Sequence, residues 1–395
     1  MRRVGVATMK VLIVSHLFPN RREPLKGVFV LEYARTLARH AAVEVLAPVP
    51  AFPLLRPYRE VPAEDHQSGV LVHHPRYLAL PGALFHWRWH TYYRSTLRFV
   101  RRMGLQADIA HVHWVYPDAY AVLKWAGQRG MRVVVTVHGH AAFGWFGPPG
   151  QHPLYAGALR RVHHVITVSD EIRGRLAGDF GVEASRITTI HNGVDMGQFG
   201  ELEREEARRS LGLPLNKRIL LAVARLSPEK QLHHLIEAVG LAREEHDLQL
   251  HLVGEGPLKA ALRERIQALG LGNRVILEGG VPHDRLNDWY RAADLFCLSS
   301  AHEGCPVVVH EALACGVPVV STAVGAVPDV LNAPGYGSLC PPGNVRELSR
   351  AISGALRRDW DRKQIAEYGR RFTWDDVVRK SMDVYHRVLA GSAPS

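Results

Sequence analysis

The feature that most constrains the fold is an alternation of short β-branched runs with helix-length amphipathic segments, repeated along the whole chain. Each short run can form one buried strand, and each longer segment can cross back over the sheet as a helix. Parallel strands require such crossovers. The alternation therefore predicts an α/β fold made of open, doubly wound parallel sheets.

The predicted strands fall into two groups that repeat the same rhythm. They are residues 10–16, 43–49, 108–114, 132–139, 163–169 and 187–193 in the first half, and 218–226, 248–256, 274–280, 294–300 and 317–322 in the second. A chain of 395 residues exceeds one ordinary core, so we expect two domains of about 200 residues each. The predicted domains are 1–200 and 201–372, with a linker near 193–205 and a terminal helix in 373–395.

The net charge of +11 lies entirely in the first half. Residues 1–200 contain 24 Lys and Arg against 13 Asp and Glu, whereas the remaining residues contain 25 of each kind. This asymmetry indicates an anionic partner for the first half, such as a phospholipid surface, an anionic acceptor or nucleic acid. Because the basic residues accompany no nucleic-acid-binding motif, we do not expect nucleic acid to be the partner.

Targeting and redox signals are weak. No signal peptide is convincing, and the longest apolar runs fall short of the roughly 18 residues of a membrane span. The four cysteines form no close pair, which predicts reduced thiols. We therefore expect a cytoplasmic protein. The single Asp-x-Asp, at residues 359–361, lies far along the chain from the strand-end motifs, so no essential metal is expected.

The sharpest local motif is "EGCPVVVHEALACG", residues 303–316. Pro306 suits a first helical turn and Gly316 suits a C-cap, which predicts a helix over 306–315 with Glu303, Gly304 and Cys305 in the loop before it. Free N–H groups at such a helix start can bind an anion or hydroxyls. The Glu311 carboxylate could accept hydrogen bonds from a diol such as a ribose or a hexose.

A second motif, "VARLSPEK", places Arg225 at a strand end and Lys230 at the next helix start. Two cations at such a junction suit a diphosphate, because Arg binds two oxygens at once and Lys supplies a point charge. An ordinary solvated helix start is the alternative. In "LVGEGPLK", Gly256 follows another strand, but glycine at a tight strand–helix turn is weak evidence of a ligand.

The first half has two candidate positions at strand ends. Gly27 lets the backbone approach a phosphate at a helix start. His138 ends the run "VVVTVHG", and His113 in "HVHW" is the competing candidate on the neighbouring strand. With 23 histidines in the chain, a structural role is the default for any one of them.

The phrase from Glu303 to Glu311, followed by "ALACGVPVVST", resembles the double-glutamate motif of the retaining glycosyltransferases of family four. That family has the GT-B fold, in which two Rossmann-like domains face each other and a C-terminal helix crosses back to the first. The "SPEK" phrase between Arg225 and Lys230 is similar to the family's diphosphate-binding pair. The resemblance is strongest over residues 218–330.

The resemblance implies roles for individual residues. Glu311 would bind the nucleotide ribose, Glu303 would contact the donor sugar and help stabilise the reacting centre, and His138 would lie against that sugar. Gly256 would line the nucleotide pocket, and Gly304 and Pro306 would meet the donor with Glu303.

Two positions depart from the family pattern. The family usually has an aromatic residue where this chain has Cys305, so we expect only backbone contacts to the donor there. It also commonly has two glycines where this chain has Gly27 alone.

The segment 76–102 interleaves aromatic residues with arginines, and Arg94, Arg98, Arg101 and Arg102 recur at helical spacing. Such a helix could lie on an anionic membrane surface, with Trp, Tyr and Phe in the interfacial zone. It could equally be an amphipathic helix whose aromatic residues pack on the first sheet. The former would suit a lipid-linked acceptor and a protein held on the inner face of the membrane.

These observations predict a retaining glycosyltransferase that moves a sugar from a nucleoside-diphosphate sugar to a sugar or lipid-linked acceptor, in cell-surface polysaccharide or glycolipid synthesis. No cofactor is expected besides this donor substrate. The alternatives are a nucleotide-sugar-binding protein without transfer activity, and an epimerase or phosphorylase of the same fold.

Overall fold

The computed structural model describes residues 9–51, 58–79, 88–139, 151–200 and 203–391. The chain forms two compact units: one ends at His191 and resumes at Trp374, and the other comprises Asn192–Thr373. The boundary between the units follows His191, before the predicted boundary at residue 200. The charged segment 203–210 packs within the second unit. There the buried Arg208 guanidinium donates to Asp294 Oδ2 at 2.6 Å and to the Ala292 carbonyl at 2.9 Å.

The first unit contains ten strands, numbered in chain order. They are β1 (Lys10–Val14), β2 (Ala42–Leu46), β3 (Val49–Ala51), β4 (Glu64–Gln67), β5 (Val70–His73), β6 (Arg76–Leu78), β7 (Ile109–Val112), β8 (Arg132–Val137), β9 (His164–Thr167) and β10 (Ile187–Thr189). Eight form one sheet in the order β10–β9–β8–β7–β1–β2–β5–β4, and β3 pairs with β6. Only the β4–β5 pair is antiparallel among the described strands. The carboxyl ends of β1, β7 and β8 therefore lie side by side.

Helices surround this sheet. They are α1 (Val28–Leu37), α2 (Arg88–Met103), α3 (Tyr120–Val122), α4 (Gln151–Arg161), α5 (Asp170–Phe180) and the terminal α14 (Trp374–Leu389). Helix α14 shares a buried core with α1 and the sheet. Its Tyr385 hydroxyl lies 2.6 Å from both the Tyr33 hydroxyl and His111 Nδ1. The last described helix is thus an integral part of the first unit.

The second unit contains a six-stranded parallel sheet. Its strands are β11 (Arg218–Val223), β12 (Leu248–Val253), β13 (Val275–Gly279), β14 (Leu295–Leu298), β15 (Val319–Thr322) and β16 (Gly337–Cys340). Their order is β13–β12–β11–β14–β15–β16, so the winding direction reverses between β11 and β14. Ligands of open α/β sheets bind beyond the strand ends at such a reversal.

The helices of this unit lie on both faces of the sheet. They are α6 (Arg204–Ser210), α7 (Leu232–Ala242), α8 (Lys259–Ala268), α9 (Leu286–Ala292), α10 (Val307–Ala314), α11 (Val327–Val330), α12 (Val345–Arg357) and α13 (Arg362–Gly369). One buried cluster joins the sheet to α7, α8 and α12, and another joins it to α9, α10 and α13. Two helices start at a side-chain cap: Asn344 accepts from the Glu347 amide and Asp361 from the Gln364 amide.

Every strand predicted from the sequence is present, but the predicted runs extend past the carboxyl ends. His16, His113, His138 and Arg225 fall within the predicted runs and lie just beyond the observed strands. Strands β4, β5, β6 and β16 have no counterpart among the predicted runs, and β3 shares only Val49 with one of them. They are short, and β4 has the polar sequence Glu-Asp-His-Gln because it pairs on one side only, at the edge of the sheet.

Candidate functional site

The turn after β11 carries both predicted cations. Arg225 is exposed and has no ion-pair partner within the described part of the chain, and its carbonyl accepts from the Ser227 amide at 2.9 Å. Lys230 closes the short helical turn Pro228–Lys230, directly before α7. Both cations therefore follow the strand at which the sheet reverses direction.

Lys230 is bound to the loop after β14. Its Nζ donates to Glu303 Oε1 at 2.6 Å, and the buried Ser300 hydroxyl donates to the same oxygen at 2.6 Å. The Lys230 side chain is 22% exposed and that of Glu303 is 10% exposed, so the pair is partly shielded from water. The Ser299 hydroxyl also donates to the Lys230 carbonyl at 2.9 Å. The two residues predicted to meet different parts of a ligand thus contact each other.

The loop after Glu303 leads directly into α10. The helix spans Val307–Ala314 and has Pro306 as its N-cap, one residue later than the predicted start. Since proline has no N–H, the first helical amides are those of Val307 and Val308, and Pro306 itself cannot donate to a ligand. The Gly304 carbonyl accepts from the Ala326 amide at 2.8 Å, which ties the loop to the turn after β15.

Cys305 faces the interior of its own unit. Its thiol is buried and lies 3.3 Å from the Asn192 amide nitrogen, which donates to the sulfur, and its carbonyl accepts from Asn192 Nδ2 at 2.9 Å. Burial raises the pKa of the Cys305 thiol to about 12, so the group is neutral. The small thiol thus anchors the start of the second unit, and the expected backbone contact of Cys305 to a donor stays a prediction.

Glu311 lies within α10, as predicted, but its carboxylate is only 4% exposed. Tyr290 from α9 donates to Oε2 at 2.6 Å, and His283 Nε2 lies 3.1 Å from Oε1. Burial, followed by the Glu311 charge, raises the pKa of Tyr290 well above its ordinary value, so the phenol remains a donor. Each carboxylate oxygen can accept two hydrogen bonds, and one position on each oxygen is left over by these contacts.

Gly256 holds two strand-end turns together. A Cβ at this position would lie 2.4 Å from the Leu226 carbonyl oxygen, which is too close for any side chain. The Leu226 amide donates to the Glu255 carbonyl at 3.0 Å, and the Leu258 amide donates back to the Leu226 carbonyl at 3.0 Å. Close packing therefore accounts for this glycine, and the turn it permits positions Arg225, the residue before Leu226.

Sequence reasoning misses the residues that orient this site. Ser299 and Ser300, which follow β14, donate to the Lys230 carbonyl and to the Glu303 carboxylate, respectively. Tyr290 binds Glu311 from a position that no local motif distinguishes, and His283 binds the same carboxylate from the turn after β13. Together the second unit presents an exposed guanidinium, a shielded ammonium–carboxylate pair and a buried carboxylate, an arrangement suited to a ligand with both anionic and hydroxyl groups.

In the first unit, Gly27 is the N-cap of α1 with φ +70°. A Cβ there would lie 2.3 Å from the Leu17 carbonyl oxygen. Both the left-handed backbone and the close approach thus require glycine. The predicted approach of a phosphate to this amide stays a prediction.

His138 and His113 are neighbours at the ends of β8 and β7. His113 Nδ1 lies 2.9 Å from His138 Nε2, and the rings stack at 5.2 Å. His138 Nδ1 and His113 Nε2 are buried without a partner within the described residues. Burial lowers the pKa of His138 to about 3, so the ring is neutral near pH 7. The two candidates are therefore parts of one neutral pair.

A second polar pair, which no motif predicted, lies at the ends of β1 and β7. His16 Nδ1 donates to Asp118 Oδ2 at 2.5 Å, and the Tyr92 hydroxyl donates to Asp118 Oδ1. Asp118 is completely buried, whereas the His16 side chain is 16% exposed. Because the carboxylate accepts from Nδ1, it orients the ring and directs Nε2 away from Asp118.

Helix α2 has the predicted cationic face: Arg94, Arg98, Arg101 and Arg102 are all exposed. The expectation that its aromatic residues are available to a membrane is wrong for Tyr92 and Phe99, which are buried. Phe99 packs against His73 of the eight-stranded sheet, as the alternative interpretation predicted, whereas Tyr92 packs against Tyr77 of the β3–β6 pair. Among the described helices, none combines the length and the apolar character needed to cross a bilayer.

The described residues offer few candidates for a metal site or a reactive thiol. No three His, Cys, Asp or Glu side chains there are arranged to hold a metal ion. Asp361 of the Asp-x-Asp sequence is the cap of α13. All four cysteines are buried free thiols. Metal independence stays a prediction.

Two family models match consecutive parts of the chain. The model "Glycosyltransferase Family 4" matches residues 27–198, and "Glycosyl transferases group 1" matches residues 203–372. The chain is 29% identical to a putative teichuronic acid biosynthesis glycosyltransferase of Bacillus subtilis, over 87% of this chain and 88% of the relative.

Solved structures share the fold at lower sequence identity. Sucrose-phosphate synthase from Thermosynechococcus elongatus matches with a TM-score of 0.78 and 21% identity, over 97% of this chain and all of that one. HepE of Anabaena, solved in complex with UDP-glucose, matches with a TM-score of 0.72 and 19% identity, over 96% of this chain and 99% of that one.

Proposed function

Because the chain belongs to glycosyltransferase family four and has the GT-B fold, we propose that it moves a sugar from a nucleoside-diphosphate sugar to an acceptor hydroxyl with retention of configuration. Glycosyl transfer is the activity of the family. The donor class, the stereochemistry and the acceptor are the finer parts of this proposal.

One observation carries the donor assignment. Beyond the strand where the second sheet reverses, Arg225 is exposed without an ion-pair partner in the described part of the chain, and Lys230 lies five residues further on. A guanidinium and an ammonium group in this arrangement suit a diphosphate. The complex of HepE with UDP-glucose supports a nucleotide sugar as the donor class.

The proposed reaction proceeds by departure of the nucleoside diphosphate. The bond from the anomeric carbon to the phosphate oxygen breaks, and Arg225, Lys230 and the amides at the start of α10 stabilise the negative charge that develops on that oxygen. The acceptor hydroxyl attacks the same face of the sugar, and its proton passes to the departing phosphate. No step requires a metal ion.

The two glutamates have separate roles in this proposal. Glu311, held by Tyr290 and His283, accepts hydrogen bonds from the ribose hydroxyls through its remaining acceptor positions. Glu303 lies at the donor sugar and stabilises positive charge at the reacting carbon. The contact of His138 with the donor sugar remains a prediction from the family resemblance.

The decisive experiment is incubation with a panel of nucleotide sugars and measurement of slow donor hydrolysis. One donor should release free sugar and nucleoside diphosphate, and NMR of the first-formed sugar should show the anomer of the donor. Inversion of the anomer would overturn the retaining mechanism. Absence of hydrolysis with every donor, together with no binding of UDP, ADP or GDP, would overturn the donor assignment.

The acceptor side of the proposal concerns cell-surface polysaccharide or glycolipid synthesis on the cytoplasmic face of the membrane. The relative named for teichuronic acid biosynthesis supports this direction. The exposed Arg98, Arg101 and Arg102 of α2 supply charge for an anionic surface, while Phe99 between them is buried. We therefore expect attachment by charge, without a large inserted apolar face.

Liposome flotation tests this attachment. The wild type should float with vesicles containing phosphatidylglycerol at low salt, and an Arg98→Gln/Arg101→Gln/Arg102→Gln variant should float markedly less, since each cation contributes about 1 kcal/mol near such a surface. Equal flotation of the two proteins would remove α2 as the membrane contact.

A further inference from the structure

A basic groove lies in the first unit, between α2, the segment after α3 and the end of α4. Its volume is about 660 Å³, within the roughly 300–1,000 Å³ typical of ligand sites. Arg94, Lys124 and Arg161 line it together with the aromatic rings of Trp89 and Tyr93. We name it the α2–α4 groove.

The positive charge of the groove is uncompensated. None of its three cations forms an ion pair with a carboxylate in the described part of the chain. Segments 80–87 and 140–150, which precede α2 and α4, contain no Asp or Glu at all. His90 also lines the groove, and its pKa is lowered first by burial and then by the charges of Lys124 and Arg94. Burying or crowding cations without a counter-ion is costly, so an external anion would relieve the repulsion.

The lysine is held in a defined position rather than left to move in solvent. Lys124 is half-buried, and its Nζ lies 5.0 Å from the ring centroids of both Trp89 and Tyr120. Two aromatic faces therefore fix an ammonium group inside the concave surface. A preorganised cation loses less entropy when a ligand binds than one on a freely rotating side chain.

We infer that the α2–α4 groove binds an acidic saccharide through its carboxylate or phosphate-ester oxygens. Arg94 and Arg161 can each bind such an oxyanion through two N–H groups, and Gln128 offers an amide for hydroxyl groups. The aromatic rings supply apolar walls for sugar rings. The groove shares no lining residue with the residues proposed to bind the donor.

The concave shape favours a discrete ligand over a bilayer. A flat anionic surface contacts protruding cations, which are Arg98, Arg101 and Arg102 on the same helix. The groove instead places Arg94, Lys124 and Arg161 around an open concave space of about 660 Å³, with the half-buried Trp89 in its wall. The two sets of three cations on one unit thus allow a matched comparison.

The test is isothermal titration of the full chain, without donor, with hexagalacturonate as the acidic probe. Maltohexaose, inorganic phosphate and phosphatidylglycerol vesicles are titrated as the neutral saccharide, the free anion and the lipid source. The groove variant is Arg94→Gln/Lys124→Gln/Arg161→Gln. The control, Arg98→Gln/Arg101→Gln/Arg102→Gln, removes the same charge from the same unit.

We expect the wild type to bind hexagalacturonate and the groove variant to lose at least ~30-fold in affinity, whereas the control should change by less than ~3-fold. A Gly127→Trp variant should also lose binding with no change of charge. Gly127 lines the groove, and a Cβ there meets nothing within 4 Å, so the indole can fill the space without disturbing the fold.

Four results would overturn the inference: an equal loss in the control variant, equal affinity for maltohexaose, equal affinity for inorganic phosphate, or groove-dependent binding of vesicles without binding of hexagalacturonate. Thermal unfolding of the variants must match the wild type, and Gly127→Trp decides the matter if neutralisation unfolds the chain. Donor hydrolysis by the wild type remains a separate measurement, so failure here leaves the proposed function standing.

Discussion

Both units have polar side chains at the ends of parallel strands, but these side chains differ in charge, burial and hydrogen-bond partners. In the second unit the groups are charged: Arg225 is exposed, Lys230 pairs with Glu303 in a partly shielded position, and the Glu311 carboxylate is buried against Tyr290. In the first unit they are mostly neutral and enclosed: His111 and His113 are buried and bonded to other uncharged groups.

This difference separates ligand binding from internal structure. Charged groups near water can exchange their partners for a ligand at modest cost, because the solvent stabilises them in the absence of the ligand. Buried neutral imidazoles have no such freedom, since protonating one would leave an uncompensated charge inside the protein. We therefore expect the second unit to respond strongly to loss of a cation and the first unit to respond strongly to acid.

The largest expected effect is acid destabilisation of the first unit. Burial, followed by the neighbouring His138, lowers the pKa of His111 to about 3, and burial lowers that of His113 well below its ordinary value. Above pH 6.5 neither the folded nor the unfolded state binds these protons. Below pH 6.5 the unfolded state does, so each histidine removes up to about 1.4 kcal/mol of stability per pH unit as the pH falls from 6.5 toward 3.

Hydrogen exchange checks this expectation strand by strand. After correction for intrinsic rates, the amides of β7 and β8 should lose protection between pH 6.5 and 4.5 before those of β11 and β14, strands of the second unit that contain no histidine. A His113→Gln variant should show a shallower slope. Parallel loss of protection in both units would contradict the contrast.

The next effect is catalytic. Replacing Lys230 with alanine removes a cation from the proposed diphosphate site and leaves Glu303 with Ser300 as its partner. We expect turnover of the donor to fall ~100-fold or more, as is typical when one group that stabilises developing charge is lost. Steady-state hydrolysis of the donor measures this directly.

The matched control is Lys217→Ala. Lys217 precedes β11 at its amino end and lies 3.9 Å from Asp247, a loose surface pair worth little. This substitution removes the same charge beside the same strand, but at its amino end, whereas Lys230 follows its carboxyl end. Near-normal turnover in Lys230→Ala, or equal losses in the two variants, would remove the strand-end site assignment.

A smaller effect concerns Asp118, a buried carboxylate of the first unit. Asp118 accepts from Tyr92 and His16, so Asp118→Ala leaves a buried phenol and a ring nitrogen without an acceptor. The free energy of unfolding should fall by about 3 kcal/mol. Denaturant unfolding of Asp108→Ala, an exposed acid at the other end of β7, should show less than about 1 kcal/mol. Equal losses would mean that burial of the acid is unimportant.

The sequence predicts the second unit better than the first for a physical reason. The donor-site candidates occur in short phrases, 225–230 and 303–311, because a strand end and the following helix start are close along the chain. The polar network of the first unit joins distant segments: Tyr385 bonds to Tyr33 and His111, and Asp118 to His16. No local pattern reveals such pairs.

Predicted strands have the right places but extend too far at their carboxyl ends, since apolar periodicity does not mark where pairing stops. The sequence also misses the charge compensation at the site. It assigns Lys230 and Glu303 to different parts of a ligand because their contact depends on how β11 and β14 pair, which only the tertiary structure reveals.

The smallest expected effect comes from a backbone position of the second unit, Gly256. Gly256→Ala would bring a Cβ to 2.4 Å from the Leu226 carbonyl oxygen, which forces the turn carrying Arg225 away from its neighbour. We expect a loss of about 1–3 kcal/mol in unfolding free energy, the usual cost of overpacking, together with weaker nucleoside-diphosphate binding. Gly272→Ala, where a Cβ meets nothing within 4 Å, should change neither quantity. Because the two substitutions add the same methyl group to the same unit, weaker nucleotide binding in Gly256→Ala alone would show that the strand-end turns position the cations. Unchanged binding in a destabilised Gly256→Ala protein would instead limit this glycine to packing.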